Sequence, residues 1–107
     1  MIVYEVNVEV RAEACAAYRA WLAGHVREIL ALPGFVSAEI LERCEPPPAE
    51  GTCAFTVQYR LVDEAALRRY LDEDAPRLRA EGERRFGDAF TATRRVLVPA
   101  DVAQRPA

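Results

Sequence analysis

Apolar and polar residues alternate from Ile2 to Val10, with Ile2, Tyr4, Val6, Val8 and Val10 on one side and Val3, Glu5, Asn7 and Glu9 on the other. A period of two marks a half-buried strand. From Ala12 to Leu32 the period lengthens. At about 100° per residue, Cys15, Tyr18, Leu22, His25, Val26, Ile29 and Leu30 share one arc, Trp21 and Leu32 lie at its edge, and Glu13, Arg27 and Glu28 fall outside it. This predicts an amphipathic helix, favoured by its alanines and ended by Pro33-Gly34.

Phe35 to Cys44 reads as a second strand, with Val36, Ala38 and Ile40 on one face and Ser37, Glu39, Leu41 and Arg43 on the other. Three successive prolines, Pro46 to Pro48, donate no hydrogen bonds, so residues 45–51 form a stiff loop. Thr52 to Arg60 is the third strand, its odd positions Cys53, Phe55, Val57 and Tyr59 opposing its even ones. Asp63 is placed to cap a second helix with Leu67, Tyr70 and Leu71 on its apolar face. Pro76 would cost that helix a hydrogen bond, which predicts a break near Asp74 and a new helical segment from Pro76 to about Arg85, anchored by Leu78. Gly87 opens the last connection, Ala89 to Val98 is the fourth strand, and residues 99–107 are a tail.

Two βαβ-like halves thus follow one another. The right-handed arrangement is an α+β, ferredoxin-like βαββαβ domain over residues 1–98, with an antiparallel sheet of order 4-1-3-2 and both helices on one face. The face bearing Val36, Ala38, Ile40, Val6, Val8, Phe55, Val57, Tyr59, Phe90 and Val96 suits the helices. The other carries Glu5, Asn7, Glu39, Leu41, Thr56, Gln58, Arg60, Thr91, Thr93, Arg95 and Leu97. Such a mixed face is either solvated or covered by the sheet of a second copy, in which case Glu5, Glu39, Arg60 and Arg95 are the interface charges of a homodimer.

Length and charge narrow the function classes. A chain of 107 residues suits one domain with a modest core, and a net charge of -3 argues against a nucleic-acid partner. No apolar run approaches the roughly 20 residues that cross a bilayer, and nothing resembles a signal segment, so a cytoplasmic protein without a membrane partner is expected. Cys15, Cys44 and Cys53 lack metal or redox spacing, so no disulfide framework is expected. Cys44 and Cys53, flanking the proline loop, form the only pair whose position invites one.

The residues able to carry chemistry lie on the helix-facing side. His25 is the sole histidine, too few ligands for a metal centre, and no phosphate cradle or nucleophile elbow occurs, so neither metal nor cofactor is expected. As a lone acid–base group, His25 shares a space with Tyr59, the pair assigned as candidate catalytic residues. Tyr4, Tyr18, Trp21 and Phe55 are candidate ligand-binding residues around them. The plainer account is a packed core with a rim histidine held by one hydrogen bond. Arg77, Arg79, Arg84 and Arg85 alternate with Glu81 and Glu83 and read as helix-surface ion pairs, Arg77 with Glu81 above all. Arg94 and Arg95 point to opposite sheet faces, Arg95 with Glu5 and Arg60 near Glu39.

The opening Met1-Ile2-Val3-Tyr4-Glu5-Val6, Trp21-Leu22 followed by His25, Pro33-Gly34-Phe35, Phe55-Thr56-Val57-Gln58-Tyr59 and the run from Ala75 through Phe86-Gly87 to Leu97 together resemble a bacterial family catalogued as domain of unknown function 4286. More distantly, an inward histidine on a helix before Pro-Gly-Phe is similar to the dimeric α+β barrel superfamily, which includes cofactor-independent quinone-forming monooxygenases and haem-degrading enzymes. That resemblance implies two subunits joined through their sheets and names no single reaction. Three functions stay open: a homodimeric binding or accessory protein without catalysis, a cofactor-independent monooxygenase-like enzyme or aromatic-ligand sensor, and a protein-interaction module using Pro46 to Pro48.

Overall fold

In a computed structural model describing residues 1–107, four strands and three helices follow in the order β1 (Ile2–Arg11), α1 (Cys15–Leu30), β2 (Phe35–Glu42), β3 (Thr52–Leu61), α2 (Glu64–Glu73), α3 (Ala75–Phe86) and β4 (Phe90–Leu97). Single 3-10 turns, Ala12–Ala14 and Gly87–Ala89, lead into α1 and β4. The sheet is wholly antiparallel in the order β2-β3-β1-β4, the arrangement expected. Residues 98–107 form neither helix nor strand and are exposed.

Local chemistry places the helix ends. The Asp63 carboxylate accepts from the Ala66 amide at 2.8 Å and so caps α2. Pro76 stands in the first turn of α3, where its missing N–H costs nothing, and Asp74 separates the two helices. Gly34, at φ 85°, makes the turn into β2, and its carbonyl accepts from the Val62 amide at 2.9 Å.

One face of the sheet packs against the helices. Val8, Val10, Phe55, Val57, Tyr59 and Leu61 meet Tyr18, Leu22, Val26, Ile29, Leu67 and Leu78 in one buried cluster. Three positions expected there are exposed, one of them Ile40, which lies opposite Val57 on the outer strand β2. A bulge between Phe35 and Ser37 turns Phe35 rather than Val36 toward Tyr59, and Val36 is exposed. Val96 lies opposite Tyr4 on the helix side but is 50% exposed, because the helices do not cover the outer edge of β4. That gap matters for the site.

The cysteines also differ from expectation. Cys15 and Cys53 form a disulfide, and Cys44 is the free, exposed thiol. The strand register supplies the reason: Cys53 pairs opposite Val10, and the turn after β1 brings Cys15 back over it, with Cα atoms 6.3 Å apart. The bond closes a loop of 38 residues, which by chain-entropy reasoning stabilises the fold by roughly 2–4 kcal/mol. Cysteine usage therefore gives no argument for a reducing compartment.

The opposite face holds a polar network centred on Glu5, which is 3% exposed although Arg95, its outermost partner, is largely open to solvent. Arg95 donates to Glu5 through Nε at 2.8 Å, Gln58 Nε2 donates to the other carboxylate oxygen at 2.9 Å, and Asn7 Nδ2 donates at 3.0 Å. Thr56 in turn donates to Asn7 Oδ1 at 2.7 Å. The amides of Asn7 and Gln58, and then Arg95, hold the Glu5 carboxyl below its ordinary value against the desolvation of its burial. Glu5 and Arg95 are thus satisfied within one chain. Glu39 stands opposite Gln58 and Arg60 opposite Ser37, and those two charges form no ion pair.

Candidate functional site

Between α1, α3 and the β4 side of the sheet lies a cavity of about 470 Å³. Its inner wall is set by strand alternation, which aims Tyr4, Val6 and Val8 of β1 and Val57 and Tyr59 of β3 at the helices. Its outer wall is set by the helical repeat, which places Tyr18, Trp21, Leu22 and His25 of α1 three and four residues apart. Gly82 of α3 completes that wall. A Cβ built there would meet Trp21 Cη2 at 3.1 Å, so the missing side chain gives the indole its room.

Of the residues singled out in the sequence, His25, Tyr59, Tyr4, Tyr18 and Trp21 line this one cavity. Phe55 does not. It is buried further along β3, opposite Val8, with the Arg19 guanidinium 5.8 Å from its ring centre. Alternation assigned Phe55 to the correct face but not to a position along the strand.

Two arginines and a tyrosine join the cavity that sequence reasoning left out. Tyr70 enters from α2, its ring centre 5.9 Å from that of Tyr4. Arg79 donates through Nη2 to the Tyr4 hydroxyl at 3.0 Å. Its signal was the inward stripe of α3, since Ala75, Leu78 and Gly82 are buried and position 79 falls on the same side. Arg94 reaches the cavity from β4, opposite Val6, as the alternation against Arg95 implied. Arg77 is bound up elsewhere, with Glu28 at 3.4 Å and Asp74 at 3.3 Å rather than with Glu81.

His25 stacks on Trp21 with ring centres 4.3 Å apart and planes 22° from parallel. Its Nδ1 is buried and has no hydrogen-bond partner. Burial lowers its basicity against the smaller opposing influence of Glu81 and Glu28, so the imidazole is neutral at pH 7. Burial also pushes the phenols of Tyr18 and Tyr70 up to about 12, opposed by Arg94 at both and by Arg79 at Tyr70, and raises Tyr59 further. Every one of these hydroxyls keeps its proton at neutral pH. The cavity therefore combines flat apolar surface, protonated hydroxyls, one neutral base and the guanidiniums of Arg79 and Arg94, with the exposed carboxylates of Glu83 and Asp88 also on its lining. No group of three or more His, Cys, Asp or Glu side chains converges to hold a metal ion.

The architecture is that of a ferredoxin-like α+β domain with a ligand-sized opening at the uncovered edge of its helix layer. The chain belongs to the family described as a domain of unknown function, DUF4286, whose model matches residues 1–100. No curated protein matches the sequence. Solved structures with the same fold include a Deinococcus radiodurans protein named for antibiotic biosynthesis monooxygenases, at 13% identity and a TM-score of 0.76 with both chains covered in full. SnoaB, a cofactor-independent oxygenase from Streptomyces nogalater, is 18% identical with a TM-score of 0.69 over 97% of this chain and 98% of its own. The haem degrader MhuD from Mycobacterium tuberculosis, solved with two haems in its active site, is 21% identical with a TM-score of 0.65 over 96% of this chain and all of its own. At these identities the likeness establishes the fold and leaves the reaction open. No helix is long and apolar enough to cross a membrane.

Proposed function

We propose that the chain forms a homodimer whose subunits each bind a small planar aromatic compound in the helix–sheet cavity and oxidise it as a cofactor-independent oxygenase. The observation that carries this reading is the cavity itself, with a buried, unpartnered imidazole nitrogen beside an aromatic wall. An accessory protein without chemistry of its own would gain stability by filling that space. Nothing comparable supports an interaction role for Pro46 to Pro48.

Neutral His25 serves as the base that takes a proton from an acidic C–H or O–H of the bound ring system. Tyr59 and the other phenols remain protonated and can donate to an oxygen of the substrate. Trp21 and Tyr18 hold the ring plane. An electron-rich carbanion of this kind reacts with dioxygen directly: a ring CH2 and O2 become a quinone carbonyl and water. SnoaB, by its description, belongs to the same chemical class.

The test uses Trp21, the only tryptophan, as reporter. Hydroxyanthrones should quench its fluorescence saturably and draw oxygen uptake without added metal, and His25→Ala should cut oxygen uptake by about a hundredfold, within the usual contribution of one general base. A folded protein that shows neither saturable quenching nor oxygen uptake across a panel of fused-ring phenols and anthrones would overturn the proposal.

A further inference from the structure

Arg79 and Arg94 enter the same cavity from opposite walls, α3 and β4, and neither has a carboxylate partner. The acids on the cavity's lining do not supply one: Asp88 is 95% exposed and lies beside Arg11 at 3.4 Å, and Glu83 is exposed on the outer turn of α3. Arg79 is in addition half-buried, with Nη2 spent on the neutral Tyr4 hydroxyl and Nε buried without any acceptor. A guanidinium in that position pays desolvation with one neutral hydrogen bond in return, a poor arrangement for a purely structural side chain. An oxyanion between the two guanidiniums would supply the missing acceptor and the missing charge together.

We infer that the cavity selects an aromatic acid, a fused planar ring carrying one delocalised oxyanion, either a carboxylate or an ionised hydroxyquinone, with the oxyanion held between Arg79 and Arg94 and the ring lying along Trp21 and Tyr18. The inference rests on the cavity being a ligand site, as proposed above, and adds the charge of the ligand. Geometry separates the two tasks: the aromatic wall belongs to α1, whereas both cations come from other elements, so ring and charge are recognised by different residues. The field of Arg94 at the phenols of Tyr18, Tyr59 and Tyr70 agrees with a cation facing inward.

Three probes of one ring size test this by calorimetry at pH 7: 2-naphthoate, 2-hydroxy-1,4-naphthoquinone, which is ionised at that pH, and the uncharged 2-naphthamide. At least one of the two anions should bind about tenfold or more tightly than the amide, the margin expected of a charge-assisted contact. Arg94→Gln, at an exposed position whose loss leaves the core intact, should remove that preference while leaving amide binding unchanged. Arg79→Gln should do the same, with near-ultraviolet circular dichroism verifying its fold. Whichever anion shows the preference identifies the acid. Equal binding of anions and amide, or a preference that survives Arg94→Gln, overturns the inference and leaves the aromatic site standing. Absence of binding by all three overturns both.

Discussion

At His25 burial and charge act in opposite directions, and burial wins. Packing against Trp21 lowers the basicity of the imidazole, while Glu81 and Glu28 raise it by less. A histidine whose folded pKa lies below its unfolded value of about 6.5 contributes its full stability above that value and loses it as pH falls through the folded pKa. We predict that the urea midpoint of the native protein drops between pH 7.5 and pH 5.5, and that His25→Gln flattens this part of the profile. Glu5 acts in the same sense, but its window lies below 4.5, so the two are separable. An unchanged slope in His25→Gln would show that the imidazole is not the titrating group. The inward positions of His25, Tyr18 and Trp21 were legible because the helical period alone assigns them to one side. The face of Arg94 was legible from its alternation with Arg95, but its place on a cavity was not; Arg79 read as a helix-surface charge, because an arginine among glutamates on a helix carries the same composition whether it faces water or a cavity. The inward stripe Ala75, Leu78 and Gly82 is what places Arg79.

Among the elements, the connection between α1 and β2 has the least tolerance. Gly34 has φ 85°, where any side chain is strained, and a Cβ there would run into Ala66 Cβ at the start of α2. Gly34→Ala is predicted to cost about 2–4 kcal/mol, combining the backbone penalty with displacement of α2, measurable as a lowered urea midpoint with unchanged m-value. A loss under about 0.5 kcal/mol would mean that α2 moves aside freely. The same element explains what the sequence could and could not say of the fold. Pro33-Gly34, Asp63 and Pro76 act through local backbone chemistry, so the helix ends they set were readable to within a residue or two. The bulge at Val36 was not, because a single extra residue reverses the facing of everything before it and leaves the later alternation of Ala38 and Ile40 intact. The Cys15–Cys53 bond was hidden for a related reason: it depends on the register that sets Val10 opposite Cys53, a long-range fact that cysteine spacing does not contain.

The whole molecule is a slab, 43 × 37 × 19 Å, with one sheet, one helix layer and an open sheet face. Charge at the centre of that face is already neutralised, since Glu5 on the inner strand β1 is closed off by Arg95, Gln58 and Asn7. Around it stand Leu41, 39% exposed, and Leu97, 38% exposed and paired with Val3, together with Glu39 and Arg60, the charges of this face that have no partner within the chain. A neutralised centre with apolar side chains around it suits burial against a second sheet better than contact with water, because the desolvation cost of the ion pair is largely met within one chain. Light scattering after size exclusion should therefore give twice the 12.0 kDa chain mass, and Leu41→Arg together with Leu97→Arg should give a folded monomer. A native protein that runs as a monomer at about 100 µM, well above the Kd of an ordinary stable interface, would refute the pairing. The same variant separates assembly from ligand recognition. Since the cavity lies between the helices and the sheet, on the side away from the open sheet face, the monomer should bind an aromatic probe as tightly as the dimer. Weaker binding by a well-folded monomer would mean that the partner subunit completes the site.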